Sequence, residues 1–264
     1  MRLLVKFMIL IVAAALLGSI GCASVPYDKM SAQEIFALGT QKMEKRKFDA
    51  AKEAFEKVKE LYPFSTQVAL AEVRLADCHY LKREWEEAVT AYNEFLLRHP
   101  THQEVPHALY FLGMSYFSRM LSIDRDQTFA LEAEKQLQRV VVQYPSSEYY
   151  ADAKKKLDET RKKLAKRERY VGHFYYINRE YYAALCRYNA VLDNYKDTEY
   201  YEEALYYAAK CSSNLKARPE AVRLFKLLLE TYPNSKWASQ ARSSLAKLSP
   251  SDLPAPVAPE PAKP

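Results

Sequence analysis

Apolar residues along this chain recur at helical spacing, and one stretch carries the pattern most clearly. Ala69 to Pro100, ALAEVRLADCHYLKREWEEAVTAYNEFLLRHP, reads as two amphipathic helices packed back to back. Leu75, Ala76 and His79 belong to the first, Ala88, Tyr92 and Phe95 to the second, and Pro100 stops it. Small residues at Ala76 and Ala88 let two helix backbones approach, while Tyr92 and Phe95 fill the space beside that contact. A unit of this size cannot bury its own apolar face and needs neighbours of the same kind.

The chain supplies those neighbours. The second-helix pattern, Ala-x3-aromatic-x2-apolar, recurs as Ala51, Phe55, Val58, as Ala184, Tyr188, Val191 and as Ala221, Phe225, Leu228, with a variant at Ala133, Leu137, Val140. The first-helix signature recurs as Leu38-Gly39, Leu112-Gly113, Val171-Gly172 and Ala208-Ala209. Pro63 to Pro100 spans 100 − 63 = 37 residues, and Tyr195 to Tyr232 spans 232 − 195 = 37. A helix-turn-helix unit of roughly this length with small residues at these places is the tetratricopeptide pattern. The predicted fold is all-α: a tetratricopeptide-like helix-turn-helix solenoid of about five repeats plus a C-terminal capping helix.

Repeat one covers Ser31–Lys45 and Phe48–Leu61, with Ser31 and Glu34 spaced as a capping box. In repeat three, helices are predicted over about 103–121 and 128–143. Gly113 to Pro145 is 32 residues where Ala76 to Pro100 is 24, so 32 − 24 = 8 extra residues fall near Ser118–Gln127. Insertions in such arrays map to exposed loops. A long charged helix follows over about 147–178, with Leu157 and Leu164 as its apolar stripe and i,i+4 pairs such as Asp158–Lys162 expected along it. A capping helix is expected over about 235–248. The expected organisation is thus 31–146 for repeats one to three, 147–248 for repeats four and five with the cap, and 249–264 as a disordered Pro/Ala-rich tail.

Residues 1–21 have the form of a secretory signal peptide: Arg2 and Lys6 at the start, Phe7–Leu17 continuously apolar, small residues after. Cys22 follows Gly21, as in a bacterial lipoprotein signal, and would become the lipidated end of a linker over 22–30. Ordinary cleavage nearby, with Cys22 an incidental thiol, is the alternative. Cys78, Cys186 and Cys211 sit near small-residue helix contacts and read as small buried hydrophobes; Cys186 and Cys211 lie on adjacent helices, which leaves a disulfide open. A net charge of +6, spread along the chain, gives no argument for nucleic acid. There is no nucleophile motif, no paired-carboxylate constellation, no phosphate-cradling Gly loop and no metal-ligand spacing. A non-enzymatic protein without cofactor or metal is expected.

Counting along repeats one to three places Phe36, Met43, Val73, Asp77, Tyr80, Tyr110, Met114 and Phe117 on the face of the first helices. A groove so lined suits an apolar or aromatic peptide terminus, although about half of these residues are expected to pack against the next repeat. Repeats four and five present a more polar aromatic face, with Lys166, Arg169, His173, Tyr176, Glu203, Tyr206 and Lys210.

Two segments carry a more specific resemblance. One is Asp124-Arg125-Asp126-Gln127 with Val140-Val141, Tyr144-Pro145-x-Ser147-x-Tyr149 and Asp152-Ala153. The other is Leu164-Ala165, Glu168, Tyr170-Val171-Gly172, Tyr175-Tyr176, Tyr181, Ala184, Arg187, Tyr195 and Asp197-Thr198. With Tyr62-Pro63-Phe64-Ser65 and the lipoprotein-like start, the chain over about 32–237 resembles the BamD (ComL) family of outer-membrane β-barrel assembly lipoproteins. The resemblance implies a lipid-anchored outer-membrane protein facing the periplasm. It would partner the barrel-assembly protein BamA and unfolded outer-membrane proteins, with other assembly lipoproteins as a further partner class. It also implies that the C-terminal repeats dock the assembly protein, near Arg169, His173, Tyr176, Arg187, Tyr195, Asp197 and Thr198. A periplasmic scaffold for cell division or peptidoglycan upkeep is the rival reading.

Overall fold

The computed structural model describes residues 26–248; the expected signal peptide, Cys22 and the 249–264 tail lie outside the described residues. Among the described residues there are a short 3-10 turn, eleven α-helices and no strand. They are α1 (Ala32–Glu44), α2 (Phe48–Leu61), α3 (Gln67–Leu81), α4 (Trp85–Arg98), α5 (Val105–Ser118), α6 (Thr128–Gln143), α7 (Tyr150–Ile177), α8 (Tyr181–Asn194), α9 (Tyr201–Asn214), α10 (Arg218–Thr231) and α11 (Ala238–Leu248). The chain divides into two compact units between Lys82 and Arg83, a boundary inside the stretch expected to hold repeats one to three. The fold is all-α and tetratricopeptide-like.

In the first unit, α1 packs on α2 and α2 on α3. The helix start is set as its sequence predicts: Ser31 Oγ accepts from the Glu34 amide, and Glu34 returns a carboxylate oxygen to the Ser31 amide at 2.7 Å. The Ser31 amide and hydroxyl, both donating to the Glu34 carboxylate, hold it below its usual range. Ile35, Ala51, Ala54, Phe55, Val58, Ala71 and Cys78 form the core. Gly39 is required by that core: a Cβ built on it would lie 2.7 Å from Phe55 Cε1.

In the second unit, α4 to α11 pack each on the next in chain order, and this is the contact pattern of a repeat array. The repeated triplets all reach the core. Ala88, Tyr92 and Phe95, then Ala133, Leu137 and Val140, Ala184, Tyr188 and Val191, and Ala221, Phe225 and Leu228 are each 0% exposed. Gly113 and Gly172 sit opposite Leu137 and Tyr188 of the following helix, so in both units the small residue of one helix admits the large residue of the next.

Two turns recur along the chain. Within a repeat the chain reverses through one left-handed residue: Arg46, Arg83, Arg179 and Lys216 have φ of 57°, 63°, 64° and 62°. Each pair is 83 − 46 = 37 and 216 − 179 = 37 residues apart. At the first of these the Lys47 amide reaches back to Lys42 O at 2.9 Å, the six-to-one bond of a Schellman cap, made here without glycine. Between repeats, the Tyr-x2-Ser/Thr sequences form a second turn. Ser65, Ser147, Thr198 and Ser235 each donate an amide to the carbonyl of the Tyr three residues before. The hydroxyls of Ser65, Ser147 and Ser235 then accept from the amide two residues on, at 3.1–3.2 Å.

Repeat three has neither turn at its middle. Residues 119–127 form the expected insertion, and α5 ends at Ser118 rather than near 121. Gln127 Nε2 donates to the carbonyls of Ser122, Arg125 and Asp126, and Arg167 of α7 donates to Ile123 O at 2.7 Å. The long helix is present as α7, 28 residues, about 42 Å of rise. Its surface pairs differ from the expected Asp158–Lys162. Asp158 pairs with Lys154 at 3.2 Å, and Lys162 reaches Glu199 in the turn before α9 at 2.7 Å. The cap helix starts at Ala238 because Ser235 is spent on the preceding turn.

Candidate functional site

The first-helix residues fall into distinct environments. On α1, Phe36 and Met43 are partly buried against the core, with the Phe36 ring 5.5 Å from Phe55. On α3, Val73 is 0% and Asp77 is 8% exposed, so neither is an open groove residue. The reason is helical register: positions 73, 76 and 77 share the face that carries Ala76. Asp77 also accepts from Arg74 at 2.9 Å. Tyr80 is half-buried.

On α5 of the second unit, Tyr110, Met114 and Phe117 are half-buried on the side facing α7. Tyr110 stacks on Tyr149 at 5.1 Å and donates its hydroxyl to Asp152; Lys156 lies 4.8 Å over the Phe117 ring. This surface therefore presents aromatic faces beside one carboxylate and one ammonium.

Further along, α7, α9 and the residue just before α11 build an aromatic row. His173 lies 5.5 Å from Tyr207, Tyr176 lies 4.9 Å from Tyr207, and Trp237 contacts both Tyr207 at 5.4 Å and Tyr206 at 5.0 Å, the last pair stacked. Burial raises the phenol pKa of Tyr176 to about 12. At the rim of the row Arg169 pairs with Glu203 at 2.8 Å.

The residues expected at a partner contact separate here. Arg187 is exposed and meets Glu168 of α7, the partner helix of its own repeat, at 3.3 Å. Tyr195 is a core residue, 7% exposed. Asp197 and Thr198 belong to the inter-repeat turn, with Thr198 Oγ1 donating to Tyr195 O at 2.8 Å. Cys186 is exposed, contrary to its reading as a buried hydrophobe; Cys78 and Cys211 are buried, and none of the three forms a disulfide.

The residue that sequence reasoning missed is Arg161. Its guanidinium forks onto both oxygens of Asp197, at 2.8 and 2.6 Å, and reaches Glu134 of α6 at 2.6 Å. It also donates to Asn194 O and lies 5.3 Å over the Tyr195 ring. One side chain thus ties α6, α7 and the α8–α9 turn. The same cation holds Asp197 below the usual carboxylate range, whereas burial pushes Glu134 up. The opposite directions follow from exposure: Glu134 is the more buried carboxylate, and Arg161 offsets only part of its desolvation. Arg161 floors an open groove of about 820 Å³ lined by α6 and the end of α8, with Leu131 and Val142 exposed on its rim. An Arg within a run of lysines was the available signal, because only Arg can fork onto a carboxylate and still reach two further acceptors.

These features define a helical-repeat protein with aromatic side-chain faces. Among the described residues no group of three or more His, Cys, Asp or Glu could hold a metal ion, and no helix is long and apolar enough to cross a membrane. The chain belongs to the YfiO outer membrane lipoprotein family, whose model matches residues 28–219. It is 31% identical over 199 residues to the outer membrane protein assembly factor BamD of Rickettsia prowazekii (strain Madrid E), covering 75% of this chain and 79% of that protein. It is 26% identical over 230 residues to the factor of the same name from Caulobacter vibrioides, covering 86% and 75%. A solved tetratricopeptide-repeat protein of Thermus thermophilus is similar at 18% identity and TM-score 0.40, covering 83% of this chain and 98% of that one.

Proposed function

We propose that this protein is a non-enzymatic component of the outer-membrane β-barrel assembly machinery, binding the barrel-assembly protein and unfolded outer-membrane proteins. The family match over residues 28–219, spanning both units, is the observation that carries this reading. The second unit offers a face for an extended aromatic-ended segment at Tyr110, Met114 and Phe117, where rings, Asp152 and Lys156 converge. The exposed Arg187 is the side chain proposed to meet the assembly protein, since its pairing with Glu168 at 3.3 Å leaves most of its fork available. Arg169, His173 and Tyr176 are proposed to flank that contact.

Aromatic anchors that dominate an interface cost about 2 kcal/mol or more when truncated. Tyr110→Ala with Phe117→Ala is therefore expected to weaken crosslinking to aromatic-ended barrel-protein peptides by about thirtyfold, with helicity by circular dichroism unchanged. Undiminished crosslinking removes this face from the reading.

The anchor is proposed to be lipid on Cys22. One acyl chain holds a protein only marginally and several hold it stably, at about 0.8 kcal/mol per buried CH₂. Cys22→Ser should move the protein from the membrane fraction to the soluble periplasmic fraction. A variant that still sediments with outer membrane in high salt is anchored by something else.

A further inference from the structure

We infer that the solvent face of α7 beyond α5 docks an extended, unfolded polypeptide segment that carries a carboxylate and two apolar side chains at alternate positions. The inference rests on the proposed function for its class of partner, and goes beyond it in the place and in the pattern recognised.

Helical register makes the face. Tyr170, Phe174 and Ile177 stand at i, i+4 and i+7 of α7 and so share one stripe. They are 49%, 57% and 63% exposed. The other sides of the same turns are occupied. Leu164 and Ala165 lie in the core, Gly172 packs on Tyr188 of α8, and His173 and Tyr176 meet Tyr207 of α9. The contacts of α7 with its neighbours therefore leave the stripe to solvent. Single apolar residues on a surface are ordinary, whereas several in register mark an interaction site. The stripe is also separate from the face at Tyr110 and Phe117. Lys156, which covers Phe117, precedes Tyr170 by 170 − 156 = 14 residues, about 21 Å along the helix.

Charge and spacing indicate the occupant. One and two turns before Tyr170 the same stripe carries Lys166 and Lys163. Neither forms an ion pair among the described residues, whereas Lys154, Lys156, Arg161, Lys162 and Arg169 of the same helix each do. Glu199 is held below its usual range by its hydrogen bond from Lys162, and Lys166 adds only a more distant field. Beyond Glu159 the sole carboxylate of α7 is Glu168, which is turned to Arg187 of α8. The stripe is thus basic at one end and apolar at the other. Lys166, Tyr170 and Phe174 follow one another at four-residue steps, about 6 Å of rise each. Same-face side chains of an extended chain recur every second residue, at about 6.6 Å. A segment laid along the stripe therefore gives a carboxylate to Lys166 and its next two same-face residues to Tyr170 and Phe174, with Ile177 closing the apolar end. Strands of membrane barrels alternate apolar and polar residues in this way, so the unfolded form of such a protein supplies the pattern.

The probe is the peptide Ser-Glu-Ser-Phe-Ser-Phe-Ser, acetylated and amidated so that Glu is its only charge, titrated into the purified protein by calorimetry. Tyr170→Ala with Phe174→Ala is expected to weaken binding about tenfold, with helicity unchanged because both side chains are exposed. Lys166→Gln should weaken it about threefold, and should leave unchanged the weaker binding of the same peptide with Gln in place of Glu. Tyr110→Ala with Phe117→Ala should not alter the titration. In a second measurement, a benzophenone replacing either Phe of the peptide should crosslink within residues 163–177. Absence of binding, equal binding by the Tyr170→Ala, Phe174→Ala chain, equal binding of the Glu and Gln peptides, or crosslinks that run elsewhere would each overturn the inference. None of these results bears on capture of the barrel-assembly protein, and failure of that capture would overturn the proposed function while leaving the titration as measured.

Discussion

Arg161→Ala is expected to lower stability by about 3 kcal/mol at pH 7, the lower end of what breaking a buried ion pair costs. The variant leaves Glu134, Asp197 and the Asn194 carbonyl without the donor that serves all three. The lower end applies because Asp197 is 49% exposed and water takes over part of its solvation. For the second unit this corresponds to a melting temperature lower by about 6–12 °C. Arg161→Lys keeps the charge but loses the fork and should recover about half of the loss. The effect has a pH signature. In the natural protein the lowered Asp197 pKa contributes stability above its unfolded value of 3.8, and that contribution is lost as pH falls through the lowered value. Without Arg161 both carboxylates gain protons more readily. The penalty is therefore largest at neutral pH and shrinks as pH falls, first through the raised Glu134 value above 4.5 and then through the lowered Asp197 value below 3.8. Thermal unfolding of both variants across pH 3–8 checks this. A penalty independent of pH would mean that Arg161 acts through packing alone.

Gly39→Ala should destabilise the first unit by about 1–2 kcal/mol even though alanine is the better helix former by about 1 kcal/mol. The added Cβ would stand 2.7 Å from Phe55 Cε1, and Phe55 is fully buried, so the ring has nowhere to turn. Phe55→Leu alone should cost about 1–2 kcal/mol through lost burial. In that background the ring tip is gone, and Gly39→Ala should become neutral or stabilising by up to about 1 kcal/mol. A double-mutant cycle by urea unfolding reads this coupling directly. Additive effects would show that the Gly39–Phe55 contact does not set the α1–α2 spacing.

These two sites mark the limits of reading the chain from sequence. Gly39 and Phe55 belong to the repeated small-residue and Ala-x3-aromatic signatures. Helical spacing makes such signatures visible, because residues three and four apart share a face. Every aromatic or Leu of that pattern, from Phe55 to Phe225, is fully buried. The insertion at 119–127 was legible by the same arithmetic. Arg161 was not, because its partners lie 27, 33 and 36 residues away and are set by how three elements pack. Lys162 likewise prefers Glu199 across a turn to the carboxylate four residues before it. Val73 and Asp77 are groove residues by counting and Tyr195 a partner-contact residue by resemblance, yet packing buries all three; Cys186 counts as buried and is exposed. The left-handed turns carry Arg or Lys instead of glycine, so composition gave no sign of them.

The central claim is that this protein works within the barrel-assembly machinery through its second unit. Its most direct test is affinity capture of the tagged protein from detergent-solubilised membranes, with natural and Arg187→Ala chains compared by mass spectrometry. The account predicts that the barrel-assembly protein is captured with the natural chain. It predicts about thirtyfold weaker association for Arg187→Ala, corresponding to about 2 kcal/mol, with the melting temperature nearly unchanged. Capture of peptidoglycan-associated or division proteins without the barrel-assembly protein would contradict it.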